Sequence, residues 1–144
     1  MNENLTIRQE EIIDAAGKIL TESGVNGLTI KNLARLMNFS ESAIYRHFKS
    51  KEEIIWMMLH QLAVSMDKRI SEVVAREKTA DNKLKALFAS QLSFFSAHSH
   101  FVVAVFSEGL LGESRLINEC VKNIMSTKAK HISVIIAEGQ ASGL

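Results

Sequence analysis

Apolar residues recur every three or four positions along most of the chain, the spacing that gathers them on one face of an α-helix. Ile12, Ala16, Ile19 and Leu20 share such a face. Thr6 with Gln9 ahead of them fits a capping box and Gly24 behind them a C-terminal cap, so a first helix is expected over roughly 7–23. After the turn VNGL, Thr29 can cap a short second helix with Leu33, Ala34 and Met37 inward. Asn38 then supplies a residue that tolerates a left-handed backbone, and Ser40 can cap a third helix at once.

Ser50 with Glu53 forms another capping box and opens a long fourth helix, in which Ile54, Met58, Leu62, Met66 and Ile70 form a continuous stripe. The polar stretch AREKTADNK, residues 75–83, is the best break. Leu84, Leu87, Phe88, Leu92 and Phe95 mark a fifth helix, FVVAVF a short buried sixth, and Gly109 with Gly112 a turn. A seventh is expected from about Ser114 through Ile117, Val121 and Ile124 to Ile132, Ile135 and Ile136. With no proline, and no glycine between Gly27 and Gly109, nothing in that interval forces the backbone out of helix, and the expected fold is all-α.

Composition narrows the classes without changing this picture. The 144 residues are 47% hydrophobic, enough to bury a core in one or two small domains. The single cysteine, Cys120, excludes an internal disulfide and fits a reducing compartment. The start, MNENLTIRQEE, is too acidic and polar for a targeting peptide, and runs such as IIWMML fall far short of the ~20 residues that span a bilayer. These features read as a cytoplasmic protein with no membrane partner.

Charge is informative only locally. The formal net charge is +1, yet residues 28–51 hold Lys31, Arg35, Arg46, Lys49 and Lys51 against the single acid Glu41. A local basic patch is what steers a protein to nucleic acid. Two short helices about four residues apart, the second serine-capped and followed by cations, read as a helix-turn-helix.

The stretch LTIKNLARLMNFSESAIYRHFKSKEEII, with its threonine-capped helix, short turn and Tyr-x-His-Phe-x-x-Lys ending, resembles the DNA-binding signature of the TetR (tetracycline repressor) family of bacterial transcriptional regulators. The resemblance covers roughly residues 7–60, from the first helix into the fourth. If the third helix enters a major groove, its N-terminal residues Glu41, Ser42 and Ala43 face base edges: Ser42 can donate or accept, Glu41 can accept from a cytosine amino group, and Ala43 can touch a thymine methyl. Arg46 can clamp a phosphate or reach guanine, while Tyr45 and His47 suit hydrogen bonds that set the register on the backbone. Ser40 caps this helix, and Ile44 and Phe48 form its inner anchor. Lys51, and Thr29 with Lys31, sit at helix starts where backbone N–H groups and the helix dipole also favour phosphate. The resemblance implies the same roles at these positions, with double-stranded DNA as the partner.

It further implies a helix-turn-helix domain over 1–50 and a helical effector-binding and dimerisation domain over 51–144. The family's last two helices, which build most of its dimer interface, are expected to be lacking, because the ending IIAEGQASGL resembles the middle of a family C-terminal domain. A truncated product and a differently built dimer both fit that ending. The implied activity is a ligand-released repressor acting as a homodimer on a pseudo-palindromic operator. A helical interaction module pairing through its C-terminal helices is the alternative.

Met58, Leu62, Phe88, Leu92, Phe95, Phe101, Phe106 and Met125 are the candidates for a pocket that takes an apolar or amphipathic small effector. Ordinary core packing competes at each of them. His98 and His100, two apart on a helix, would point to different sides, so no metal or cofactor is expected. His60, Glu108 and His131 read as isolated polar residues. No nucleophile elbow, glycine-rich phosphate loop or flanking carboxylate pair supports enzyme chemistry.

Overall fold

A computed structural model describes residues 5–106 and 114–144, and among them the chain forms helices only. These are α1 (Ile7–Gly27), α2 (Ile30–Met37), α3 (Glu41–Tyr45), α4 (Lys51–Ala75), α5 (Ala80–Ala97), α6 (Ser99–Phe106) and α7 (Arg115–Ala141). The turn expected at Gly109 and Gly112, and Glu108, lie outside the described residues.

Local caps set the helix starts. Thr6 and Gln9 make both bonds of the capping box: the Thr6 hydroxyl accepts from Gln9 N at 3.1 Å and the Gln9 side chain accepts from Thr6 N at 3.0 Å. Gly24 has the left-handed φ of 71° expected of it, but the chain adds one more turn, so α1 runs on to Gly27 across a kink. At α4 only half of the expected box forms. Ser50 Oγ accepts from Glu53 N at 3.2 Å, whereas the Glu53 carboxylate accepts from Lys49 N at 2.9 Å instead of from the cap residue.

One apolar core runs without a break from Ile12 on α1 to Ile135 on α7. The α4 stripe supplies its middle, with Ile54, Met58, Leu59, Leu62, Met66 and Ile70 all fully buried. Along that stripe α4 packs on α5 and α7, and α1 packs on α2, α4 and α6. α2 and α3 are therefore joined to the later helices through α1, which meets α6, as well as through α4.

Two expectations shift. α6 buries Ala104 and Val105 but leaves Val102 and Phe106 exposed, so it lies on the bundle with one face in solvent. On α7, Ile117, Cys120, Val121, Ile124 and Ile135 are buried, whereas Ile136 turns outward, since adjacent residues on a helix diverge by about 100°. Burial pushes the Cys120 thiol up to about 11, so it packs as a small hydrophobe with little thiolate near neutrality.

Gln91 on α5 is only 5% exposed, and among the described residues neither its amide oxygen nor its nitrogen has a hydrogen-bond partner. An unmet buried polar group costs about 1–3 kcal/mol, so Gln91→Leu, which keeps the volume, is expected to raise stability by about that amount. Urea unfolding checks it; a loss of stability would show that the amide is satisfied.

Candidate nucleic-acid interface

The turn between α2 and α3 is built from backbone chemistry before any side chain faces outward. Thr29 Oγ1 accepts from Asn32 N at 3.0 Å, and Asn32 Nδ2 donates to Gly27 O at 2.8 Å, which starts α2 and ties it to the end of α1. Asn38 takes the left-handed conformation (φ 62°, ψ 39°) and closes α2 with two reverse bonds, Phe39 N to Ala34 O at 2.8 Å and Asn38 N to Arg35 O at 3.3 Å. This is a Schellman closure with asparagine in the glycine position. Ser40 Oγ then accepts from Ala43 N at 3.1 Å and lies 3.2 Å from Ser42 Oγ.

α3 is shorter than its sequence pattern suggests. It ends at Tyr45; Arg46 keeps a helical backbone (φ −68°, ψ −23°), and His47 N bonds back to Ile44 O at 3.0 Å. Arg46 and His47 therefore sit on a tightening turn. The reason is Phe48, only 2% exposed, which must enter the same core as the fully buried Ile44 while Ser50 starts α4 two residues later.

Glu41, Ser42, Tyr45 and Arg46 face solvent together, with Tyr45 51% exposed. Ala43 and His47 are half-buried, and Lys31, Thr29 and Ser40 are exposed at the starts of α2 and α3. Lys51 is half-buried, and its Nζ donates to Val25 O at 3.0 Å, which ties the first turn of α4 to the end of α1. An ammonium has three donors, so this bond leaves others for a phosphate.

Gln9 was not among the expected site residues. Its Nε2 donates to His47 O at 3.2 Å, so α1 holds the turn that carries Arg46 and His47. The partner is 38 residues away in sequence, and nothing local to Gln9 signals it. Arg8 lies 4.9 Å from the Phe39 ring centre and braces the turn from the same side.

The expected pocket residues do not assemble. Leu62 and Phe101 line a cavity of about 510 Å³ between α1, α4 and the α5–α6 corner. Met58 is sealed in the core, and Phe88, Leu92 and Phe106 point outward. Phe95 lies beneath Lys128, whose Nζ is 5.8 Å from the ring centre, and Met125 lines a separate groove on α7. A stripe at helical spacing specifies a face of one helix but not which neighbour that face meets.

His60, His98 and His100 instead converge on that cavity. His98 is not helical (φ −132°, ψ 61°), and this break between α5 and α6 turns it toward His100, with ring centres 6.0 Å apart. Gly17 on α1 meets His100 face on: a Cβ added there would stand 2.9 Å from the ring. Burial first, and His98 second, hold His100 below the usual histidine range against a smaller upward pull from Asp14. Among the described residues no helix is long and apolar enough to cross a membrane.

A short capped helix held outward by two buried anchors, with hydroxyls and cations on its open face, defines a helix-turn-helix DNA-binding protein. Residues 12–55 match the family model described as bacterial regulatory proteins, tetR family. These residues, which run from α1 into α4, are a TetR-family DNA-binding domain, the domain of bacterial transcriptional regulators.

Among its relatives, the nucleoid occlusion factor SlmA of Vibrio cholerae is 24% identical over 132 residues, covering 91% of this chain and 67% of that protein. The fatty acid metabolism regulator protein of Bacillus subtilis is 25% identical over 138 residues, 92% of this chain and 68% of the relative. The chain thus spans about two thirds of the length of these relatives.

The fold is shared with the ketosteroid transcriptional regulator KstR2 of Mycobacterium tuberculosis, with a TM-score of 0.84 at 20% identity over 97% of this chain and 71% of that one. It is also shared with FadR of Bacillus subtilis, solved in complex with stearoyl-CoA, with a TM-score of 0.77 at 22% identity over 96% and 73% of the two chains.

Proposed function

We propose that this regulator is a ligand-released repressor that binds a pseudo-palindromic operator as a homodimer. The observation that carries the release mechanism is the packing of α1: it holds the α3 turn through Gln9 and His47, and it also lines a cavity formed with α4 and the α5–α6 corner. A ligand that prefers one arrangement of that cavity would shift the reading helix with it. That the FadR structure holds stearoyl-CoA supports an amphipathic effector for a protein of this fold.

In this reading Glu41, Ser42 and Ala43 meet base edges, and Thr29, Lys31, Ser40, Tyr45, Arg46, His47 and Lys51 set the register on phosphate and sugar. Half-sites then lie a whole number of turns apart, about 34–36 Å per turn. Fluorescence anisotropy on DNA from upstream of the gene, against scrambled DNA and across salt concentrations, tests it. Tighter binding to the upstream DNA with a steep negative salt slope is expected; no binding to either at low salt would sink it.

Ser42→Ala tests base reading on its own. The variant is expected to change the preference among operator variants at one position per half-site by about 1 kcal/mol or more while leaving the salt slope in place. An unchanged preference in a selection from random DNA would remove Ser42 from the base readers.

A second reading, pairing with another protein through the later helices, is favoured by one observation. Phe88 (47% exposed), Leu92 (73%) and Ile136 (48%) leave apolar area uncovered on α5 and α7. Sedimentation of the chain alone and with DNA separates the two: a DNA-bound dimer supports the first, and a monomer indifferent to DNA supports the second.

A further inference from the structure

Arg69 on α4 is a half-buried cation with no carboxylate partner among the described residues. Its Nη1 donates to Ser65 Oγ at 2.8 Å and its guanidinium carbon stands 3.5 Å from the Phe94 ring centre. Nε and Nη2 are shut off from solvent with no hydrogen-bond partner, and among the described residues no carboxylate pairs with Arg69. Burial pulls its pKa down, yet a guanidinium stays protonated in a protein, so the charge persists at a cost.

Its position explains what could offset that cost. Ser65, to which it is bonded, lines the 510 Å³ cavity. Arg69 itself lines a groove of about 610 Å³ between α4 and α5, with Arg76, Ser90 and Ser93. Cavity and groove share Phe94 and His98, so the guanidinium stands in the wall between them. The cavity is lined by one cation, Lys68, one acid, Asp14, and the imidazoles of His60, His98 and His100, which offer N–H donors, while Ile13, Leu62 and Phe101 supply apolar wall. In the groove only Glu77 opposes Arg69 and Arg76.

We propose that this cavity takes an amphipathic organic anion, its apolar body against Leu62, Phe94 and Phe101 and its carboxylate or sulfonate drawn to Arg69 and Lys68. The inference rests on the effector reading above and assigns its ligand class. Specificity arises from the wall charge: an anion meets a guanidinium whose Nε and Nη2 have no hydrogen-bond acceptor among the described residues, whereas a neutral molecule of the same shape leaves them unmet. The guanidinium must turn off its Ser65 bond or off the Phe94 face to meet the head group. Binding is therefore read directly by α4, and by α1 through Ile13 and the Gly17–His100 contact.

The test compares two fluorescent probes of one shape class, anionic 1-anilinonaphthalene-8-sulfonate and neutral N-phenyl-1-naphthylamine, titrated into the whole chain. The sulfonate is expected to bind with one-to-one stoichiometry and about tenfold or more tighter than the neutral probe, the factor that a charge-assisted contact gives. Arg69→Met, which keeps an unbranched side chain on Phe94, should remove most of that difference by weakening the sulfonate alone. Arg69→Lys should retain part of it, and Leu92→Ser, on the exposed face of α5, should change neither probe.

Equal affinity of the two probes for the unaltered chain would overturn the proposal. So would a folded Arg69→Met variant that keeps the full preference for the sulfonate. Should Arg69→Met fail to fold by circular dichroism, the probe ratio of the unaltered chain and of Arg69→Lys decides. Anisotropy on operator DNA with and without the sulfonate probe then separates the two readings. Anion-selective binding that leaves DNA affinity unchanged keeps the site and sinks the effector role.

Discussion

Phe48→Ala is expected to cost about 3–5 kcal/mol of stability, the range for truncating a fully buried phenylalanine, and to abolish operator binding at 25 °C. Phe48 is 2% exposed and lies between two constraints: the turn that Gln9 holds through His47 O, and the Ser50 cap that opens α4. It fills the head together with Ile12, Leu33 and Ile44, each at most 1% exposed. A hole there frees both ends of the α3 turn, so the loss in binding should exceed what global unfolding explains. The loss is a large share of a domain's usual stability of about 5–15 kcal/mol.

Tyr45→Ala, three residues earlier, supplies the contrast. Tyr45 is half in solvent, so its loss should leave the melting temperature within about a degree while weakening binding to every DNA. Thermal melts by circular dichroism beside anisotropy titrations check both. Equal melting temperatures for the two variants would contradict the inward placement of Phe48.

The double substitution Lys31→Ala with Arg46→Ala should weaken operator binding about a thousandfold near physiological salt while leaving the fold intact. Both side chains are exposed, and among the described residues neither is tied to another group by a salt bridge. In a two-fold dimer each substitution acts twice. With about tenfold per charge-assisted contact, even partial loss of these contacts reaches that figure. The slope of log affinity against log salt should become shallower by about 0.9 for each phosphate contact removed. An unchanged slope with a reduced affinity would move both residues from phosphate to base edges.

The head was legible because its signals are local. Thr6 with Gln9, Thr29, Asn38, Ser40 and Ser50 act on backbone groups within three or four residues, and the structure shows each of these caps or turns in place. Two local signals were misread: α1 runs past Gly24 to Gly27, and the Glu53 carboxylate accepts from Lys49 N, one residue before the cap, instead of from Ser50 N. Ile44 and Phe48 could be recognised as anchors because four residues bring two side chains to one face whatever the neighbours are.

The cavity was not legible, for the opposite reason. Met58 and Leu62 share the α4 stripe and look equivalent in sequence, yet α4 presents Met58 to the sealed core and Leu62 to the cavity rim. Phe88 and Leu92 continue the apolar pattern of α5 but are exposed to solvent, while Gln91 beside them is buried. His98 and His100 diverge on an ideal helix and converge in the protein, because the chain breaks at His98.

By itself, then, the sequence determined that the chain is helical, where its helices start, and which short helix carries outward hydroxyls and cations over buried anchors. These follow from bonds and spacings within one turn. Only the tertiary structure decided that Gln9 holds the turn after α3, that Lys51 is tied to the end of α1, and that Arg69, with no carboxylate partner among the described residues, stands beside a cavity lined by histidines. Those arrangements depend on which helix faces which across distances of tens of residues, and hydrophobic periodicity, which is non-directional around its partner, does not encode that choice.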